Sequence, residues 1–404
     1  MDKTQVKLTG LLRSDFVAVL VIVTNAFSWY FPLYIFLQNI LEESVEFPVV
    51  SAALGVHNVG AISFAFVGVI VVTQISKRDA FLCLWMLIGT ISSAALVVLN
   101  TTNIVSLLLV SFLLGISLGL GFPSCFSYFG DHSSEQNRGR LGGITYFVSS
   151  LGMLVVGLMV NISSLSMGAL ILALWRGLGL VLFLLFRPRE KDKRSVVNVT
   201  YRSVLLNKRF LLYLVPWTMF CLVNFLIFPI VTNFIGKDLA LLMPIAEFGI
   251  GAFSALIGGF FADSVGRKRI VIFGFITLGI GYAVLAIFSW TVLYIVLDGI
   301  AWGIFSLMFY LVIWADLAQN RIKEKYYLVG ILPFIVSGYL RILLTPYVES
   351  TPISVSFSLA SLFLFLAVLP LLYAPETLSE KEIEKKRLQK YLEDAKKVKT
   401  KHEK

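Results

Sequence analysis

Charged side chains are scarce in this chain of 404 residues: 14% are Asp, Glu, Lys or Arg, whereas 58% are hydrophobic. A soluble globular domain carries about 25% charged residues, so the chain lacks the polar surface that a water-soluble fold needs. This composition excludes a soluble enzyme, a nucleic-acid-binding domain and a secreted disulfide scaffold. A spanning helix uses about 20 apolar residues, and twelve such helices would leave only short loops.

Cysteine and histidine are also rare, with three of each. Cys83, Cys125 and Cys221 lie inside apolar runs, where cysteine usually acts as a small hydrophobic side chain. His132 and His402 lie in polar segments without the spacing of metal ligands. The Gly-x-x-x-x-Gly-Lys-Ser/Thr nucleotide loop does not occur in the sequence. We therefore expect no catalytic residues, no metal and no cofactor.

Twelve apolar runs are separated by polar or Gly/Pro-rich breaks. We predict helices over 14–37, 47–72, 80–99, 103–127, 140–161, 164–186, 209–234, 240–262, 270–288, 291–315, 327–348 and 353–373. Residues 187–209 carry eight Lys or Arg and form the only long internal polar segment. The sequence therefore predicts an all-α polytopic membrane protein of two six-helix halves. The boundaries are 1–187 for the N-terminal half, 188–208 for a linker, 209–374 for the C-terminal half and 375–404 for a charged tail.

The basic residues predict the orientation of these helices. The two termini and alternate loops carry 31 of the 34 Lys and Arg; the other loops carry only Lys237, and Arg176 and Arg341 lie within spans. Because basic loops remain on the cytoplasmic side, we expect both termini in the cytoplasm and the protein in the cell (plasma) membrane. The first apolar run has the length of a full span and no cleavage site for a signal peptide. The net charge of +10 follows from this topology, so no nucleic-acid partner is expected.

The loop between helices 8 and 9 carries the motif Gly259-x-x-x-Asp263-x-x-Gly266-Arg267-Lys268. Its glycines permit a tight turn, and a carboxylate near a helix end can bind guanidinium groups of the loop or of a neighbouring helix. The spacing resembles the signature loop of the major facilitator superfamily. That resemblance implies a latch that closes the cytoplasmic side while the transporter faces outward.

Three further elements extend the resemblance to the sugar porter and metabolite:proton symporter branches of this superfamily. Asp131 precedes Arg138 by seven positions after helix 4, similar to the sugar-porter acid-x6-Arg element, and Asp316 with Lys323 resembles its copy in the second half. The Pro-Glu-Thr-Leu segment at 375–378 resembles a third sugar-porter element. The resemblance covers most of the chain and implies a major facilitator fold whose cytoplasmic gate includes these four charged residues.

Two departures from the family pattern affect the expected mechanism. Helix 1 is similar to the Asn-x-x-Glu-Trp-Tyr-Asp stretch of metabolite:proton symporters, but Ser28 and Phe31 occupy its two acidic positions. These side chains cannot carry a proton. The loop between helices 2 and 3 keeps Lys77 and Arg78 but has Val72 in place of the acid. We therefore expect a degraded latch in the first half.

Four ionisable residues lie inside predicted spans, where a charge costs at least about 2.5–3.5 kcal/mol on insertion scales. Glu247, Asp298 and Arg341 each lie about eight residues from the outer end of a helix, roughly 12 Å deep, so we expect one cluster in which Arg341 can pair with either acid. The cluster is either a static ion pair or a substrate or ion site, and its surplus of one acid favours a site that titrates. For Arg176, in helix 6, we expect a packing or interfacial role.

Uncharged polar and aromatic residues at similar depths complete the predicted substrate or ion pathway. They are Asn25, Trp29 and Tyr30 on helix 1, His57 and Asn58 on helix 2, Asn224 on helix 7 and Trp302 on helix 10. For His57 the alternative is an interhelical hydrogen bond, because a lone histidine within the membrane more often has that role.

The sequence thus predicts a secondary transporter that moves a small organic solute, such as a sugar or an organic acid, by alternating access. Its partners would be the solute, H⁺ and the lipid bilayer, and we expect a functional monomer. Symport of protons through Glu247 and Asp298 competes with uniport by a gradient-independent facilitator and with antiport of drugs or metabolites. A sensor that retains the fold without transporting is the alternative from another class. Substrate charge stays open, since Arg341 favours an anion if it is unpaired, and the acids favour a cation if it is neutralised.

Overall fold

The computed structural model describes residues 14–75, 77–99, 103–187 and 197–378, together with positions 384 and 388. The first residues of the chain, part of the predicted linker and most of the predicted tail lie outside these ranges.

Within the ranges that the structure describes, twelve helices are long and apolar enough to cross a membrane, which confirms the predicted all-α polytopic fold. They are α1 (Phe16–Ser44), α2 (Phe47–Gln74), α3 (Arg78–Val98), α4 (Ile104–His132), α5 (Arg138–Asn161), α6 (Leu165–Phe186), α7 (Lys208–Ile235), α8 (Met243–Val265), α9 (Arg267–Phe288), α10 (Thr291–Ala318), α11 (Lys323–Val348) and α12 (Ile353–Tyr373). In the described part of the chain, extended pairing is limited to one isolated bridge between Val197 and Arg321.

Several helices continue beyond the ends that hydropathy predicts. Helix α1 runs to Ser44, α4 runs to His132 and α11 begins at Lys323, each four to seven residues beyond the predicted end. The apolar pattern stops where the chain reaches the polar interface, but the helical hydrogen bonds continue there. Asp131 and Lys323 therefore lie on the last and first turns of helices and not in loops.

Helices α1–α6 pack among themselves, as do α7–α12, and the two sets meet mainly where α5 packs against α8 and α2 and α4 pack against α11. Because the number of crossings is even, the start of α1 and the end of α12 emerge on the same side of the bundle. We call that side the termini side and the opposite side the far side.

Small residues bring α5 and α8 into close contact near the termini side. A Cβ atom on Gly259 would lie 2.3 Å from the carbonyl oxygen of Gly139, and one on Gly143 would lie 2.8 Å from that of Ala255. Close backbone approach through small residues is a common form of helix packing in membranes. The two halves are therefore in tight contact along this part of their interface.

Glycine also fixes the distance between α2 and α4. A Cβ on Gly115 would lie 2.0 Å from the carbonyl oxygen of His57. We expect Gly115→Ala to lower the stability of the protein by about 1–3 kcal/mol, the usual cost of overpacking. Gly177→Ala is the matched control, because its Cβ would meet only the side chain of Thr90 at 3.6 Å. Thermal unfolding in detergent tests this difference, and equal melting temperatures for the two variants would contradict it.

Two helix irregularities lie near the centre of the bundle. Helix α4 is interrupted at Gly121, and α10 contains a π-helical segment, Ser306–Val312. Such segments often occur at functional positions. Within the π segment, the Tyr310 ring contacts Phe27 and Phe126 of the other half, with ring centroids 5.6 and 5.8 Å apart. These three rings, which we call the aromatic cluster, connect the halves at mid-depth.

Candidate functional site: an inter-half cavity and an ion network

An ion network joins the two halves on the termini side, below the aromatic cluster. At its centre, the buried carboxylate of Asp316 on α10 accepts hydrogen bonds from the guanidinium groups of Arg138 on α5 and Arg267 on α9, one on each oxygen. The Thr377 hydroxyl donates a further hydrogen bond to Asp316 at 3.0 Å. One carboxylate thus binds an arginine from each half.

A second acid of the network, Asp131 on α4, binds bases from both halves. It lies 2.6 Å from the Lys323 ammonium on α11 and 2.7 Å from the Arg78 guanidinium on α3. Arg78 also lies 3.5 Å from Glu324 on α11. The two predicted acid and base motifs therefore exchange partners, because the acid of each half pairs with the base of the other. Glu324 was not predicted as part of this network, because acidic residues are common in polar loops and no motif marks this one.

Asp263 binds backbone groups of the other half. Its carboxylate accepts hydrogen bonds from the N–H groups of Gly139 and Arg140, both at 2.9 Å, at the start of α5. A carboxylate at a helix N-terminus satisfies donors that the helix leaves free. A Cβ on Gly139 would lie 2.6 Å from this carboxylate, so glycine makes the contact possible.

Glu376 binds the start of α9 in a similar way. Its carboxylate accepts a hydrogen bond from the Arg267 N–H at 2.8 Å, and the Lys268 ammonium donates to the carbonyl oxygen of Ala374 at 2.9 Å. Gly266, with φ of +108°, makes the turn before α9 in a conformation that favours glycine. The segment after α12 is thereby joined to the loop motif between α8 and α9.

The corresponding loop of the first half is altered, as its sequence indicated. Val72 is buried and offers no carboxylate to the start of α11. Arg78 nevertheless forms the ion pairs described above, so half of the expected latch is present. Whether the network acts as a gate stays a prediction.

A cavity lies between the halves, from mid-depth towards the far side. Its interior offers about 180 Å³ to the centre of a water-sized molecule. Its lining comprises Tyr30, Phe31, Tyr34, Ile35, Gln38, Asn58, Leu118 and Phe122 from the first half, and Asn224, Phe225, Phe228, Pro244, Glu247, Trp302, Ile331, Phe334, Ile335, Gly338 and Arg341 from the second. The predicted pathway residues Tyr30, Asn58, Asn224, Glu247, Trp302 and Arg341 are among them.

Glu247 and Asp298 form a pair of carboxyl groups at the wall of the cavity. Their side chains interact with each other, Glu247 faces the cavity, and Asp298 is buried behind it. A hydrogen bond between two carboxyl groups requires a shared proton. We call these two residues the carboxyl pair; the sequence predicted their proximity.

Arg341 does not pair with these acids, contrary to the expected cluster. Its guanidinium donates a hydrogen bond to the Gln38 side chain at 2.8 Å and lies over the Phe228 ring, 5.1 Å from its centroid. Gln38 falls one residue beyond the predicted end of helix 1. For that reason the sequence did not single it out.

His57 lies behind the cavity wall. Its Nδ1 atom is 3.2 Å from the carbonyl oxygen of Ser111, and its ring packs on Tyr30 and Tyr34, with centroids 6.3 and 5.5 Å away. These contacts fit the interhelical alternative better than a place in the pathway.

Asn25 and Trp29 lie away from the cavity, which differs from their predicted position in the pathway. Arg176 accounts for both: it is fully buried, donates a hydrogen bond to the Asn25 side chain at 2.6 Å, and stacks between Trp29 and Trp85 at 4.4 and 4.2 Å. A Cβ on Gly89 would lie 2.9 Å from this guanidinium. We therefore propose packing roles for Asn25 and Trp29.

We expect Asn25→Leu to destabilise the protein by about 2 kcal/mol, since Arg176 would lose an acceptor for its buried charge. The double variant Asn25→Leu with Arg176→Met should recover most of that loss, because no charge stays buried. Thermal unfolding of the two single variants and the double variant measures the coupling. Additive effects would contradict the assignment.

No group of three or more His, Cys, Asp or Glu in the described ranges is arranged to hold a metal ion. Cys83, Cys125 and Cys221 are free thiols.

The fold matches solved transporter structures along nearly its whole length. The proton:xylose symporter XylE, bound to 6-bromo-6-deoxy-D-glucose, gives a TM-score of 0.69 at 15% identity, with 92% of this chain and 98% of that chain covered. The transporter FucP in its outward conformation gives 0.69 at 11% identity, with 90% and 100% covered. The human organic anion transporter MFSD10 (TETRAN) gives 0.66 at 13% identity, with 89% and 98% covered.

A search of curated protein sequences found no match. The family model described as Major Facilitator Superfamily matches residues 18–327, which is more than half of the chain. The chain is a multi-pass membrane protein that belongs to the major facilitator superfamily.

Proposed function

We propose that the protein is a proton-coupled secondary transporter that moves a small organic solute by alternating access. The observation that carries this proposal is a cavity between the two halves with a carboxyl pair on its wall and an inter-half ion network on the termini side. A site between two halves that rock against each other is the general arrangement of such transporters. The solved structures with the same fold include sugar and organic anion transporters, which agrees with a small solute.

The ion network fits a gate that closes one side of the membrane. Its bonds from Asp316 to Arg138 and from Asp131 to Lys323 join the halves, so they must break when the halves separate on the termini side. The excess of basic residues on that side supports a cytoplasmic location. The structure would then be an outward-facing state of a plasma-membrane transporter that functions as a monomer. The divisions at 187 and 209 would separate two moving units.

The carboxyl pair fits a role in proton coupling. Helix α1 offers no acid at the positions where related symporters have one, and the Ser28 hydroxyl there accepts a hydrogen bond from the Trp175 indole at 2.8 Å. Glu247 and Asp298 are acids of the other half that reach the cavity wall, and a pair that shares one proton can take up a second. A charge inside the membrane is costly, so an ionisable group that is found there is a candidate for a functional role.

Uptake by purified protein in liposomes tests the function. We expect saturable uptake of at least one member of a panel of sugars, organic acids and amines, increased by an inward pH gradient. Absence of any flux across the panel, with a structure that does not respond to any ligand, would favour the non-transporting sensor. Flux that ignores the gradient would favour a facilitator.

A further inference from the structure

We infer that the solute is an amphipathic organic anion, with its acidic group bound by Arg341 and its apolar body held by the aromatic wall of the cavity. We also infer that it moves together with one proton and without net charge. This inference rests on the proposed function and adds the substrate class and the electrical character of transport.

Arg341 has hydrogen-bond donors that no group in the described part of the chain accepts. A guanidinium group has five N–H donors, and the structure shows one bond from this group, to the uncharged oxygen of Gln38. No carboxylate of the described residues lies within ion-pair distance of Arg341. The group is partly exposed and faces the cavity, so its remaining donors can reach a bound solute. A carboxylate or sulfonate can accept two parallel hydrogen bonds from it and neutralise that charge.

Polar side chains are a minority in the cavity lining, and some of them already bind protein groups. Gln38 binds Arg341 and Glu42, and the amide nitrogen of Asn58 donates to the carbonyl oxygen of Leu54 at 2.7 Å. Beyond these, the polar groups of the lining are the hydroxyls of Tyr30 and Tyr34, the indole N–H of Trp302, and the side chains of Asn224 and Glu247. Since most of the lining is apolar, a sugar would leave some of its hydroxyl groups without partners here, each at a cost of about 1–3 kcal/mol. The wall therefore disfavours a polyhydroxylated solute.

The rest of the cavity lining is apolar. Aromatic rings from both halves face the cavity, among them Phe31, Phe122, Trp302 and Phe334. Phe31 and Phe334 come from different halves, and their ring centroids lie 6.1 Å apart. An apolar or aromatic body between such rings gains hydrophobic and ring-stacking stabilisation. The preferred solute thus has one acidic end and an apolar body.

The net charge of the cavity lining depends on how many protons the carboxyl pair holds. With one shared proton the carboxyl pair carries a charge of −1, and Arg341 carries +1, so these charges of the cavity lining cancel. Glu42, which Gln38 binds, lies outside the lining. A second proton leaves a net charge of +1, which an anion with one charge neutralises. The other titratable groups near the pair are the phenols Tyr146, Tyr282 and Tyr294 on α5, α9 and α10. They bring no positive charge, so proton loading favours anion binding through net charge.

Binding to purified protein tests the substrate class with a matched pair of probes. We expect p-toluenesulfonate to bind at least about tenfold more tightly than its neutral analogue p-toluenesulfonamide, by calorimetry at pH 6. Arg341→Gln should abolish this preference, and Arg341→Lys should restore part of it, because it keeps the charge and loses the paired hydrogen bonds. Arg321→Gln, outside the cavity, is the control and should bind like the wild type. Equal affinity for the two probes, or tighter binding of xylose than of p-toluenesulfonate, would overturn the inference.

Flux into liposomes tests the electrical character. Since the acid form of a sulfonate does not cross lipid by itself, accumulation of p-toluenesulfonate reports on the protein. We expect an inward pH gradient to drive accumulation, and a potassium diffusion potential imposed with valinomycin to change it less than twofold. Accumulation that follows the membrane potential would overturn electroneutral transport. Proton-driven accumulation of a neutral solute alone would refute the substrate class but keep the proposed function, whereas no flux of any solute would refute the function itself.

Discussion

Replacing Asp316 with Asn is expected to open the termini side of the protein. The carboxylate compensates two buried guanidinium groups, those of Arg138 and Arg267. Removing one partner of a buried ion pair costs about 3–5 kcal/mol, which would shift the balance between closed and open states at least about 100-fold. Spin labels at Gln74 and Ser264, exposed ends of helices in different halves, measure the change.

We expect a longer distance population to dominate between these labels in Asp316→Asn and to be minor in the parent. The parent protein carries both labels and has its native cysteines replaced by alanine, so that only the two introduced positions are labelled. Glu349→Gln is the control: this acid lies on the far side and accepts a hydrogen bond from Asn233 at 3.1 Å. An unchanged distance distribution in Asp316→Asn would mean that the network does not hold the closed state.

Replacing Glu247 with Gln is expected to abolish accumulation driven by a pH gradient, a loss of at least about tenfold. Glutamine keeps the shape of the side chain and can still hydrogen-bond to Asp298, but it cannot carry a proton. Exchange of labelled for unlabelled solute at equal pH should continue, because the halves can still move with the solute bound. The pair of assays separates proton coupling from movement of the halves.

The control for this experiment is again Glu349→Gln, which removes an acid outside the cavity. It should accumulate solute like the wild type. If Glu247→Gln retained full gradient-driven accumulation, the carboxyl pair would have a structural role. If it lost exchange and accumulation together, Glu247 would act in solute binding and not in coupling alone.

The sequence predicted the number of spans and several residues of the ion network, such as Asp263 and Arg267, because those signals are local. A hydropathy profile identifies each helix from its own residues, and the motif that contains Asp263 is recognised within a single loop. The pairing of Asp131 with Lys323 could not be predicted, since it depends on how the two halves meet. Each motif contains an acid and a base, but in the folded protein the acid of one motif pairs with the base of the other.

The cavity was less predictable for a related reason. Depth within a span placed Arg341 beside Glu247 and Asp298, but depth does not fix the direction in which a side chain points. Arg341 reaches Gln38 of the other half. Asn25 matched a family stretch on helix 1, yet Arg176, a buried charge on α6, binds it. The partner of a buried polar group is decided by tertiary packing.

Simultaneous measurement of proton and solute entry shows whether the two cross the membrane together. Wild-type protein in liposomes that enclose a pH-sensitive dye would be given a transported solute with no gradient imposed. We expect that each solute molecule brings in one proton and that Glu247→Gln removes this proton movement. Solute entry without acidification of the interior, equal in the wild type and the variant, would contradict it.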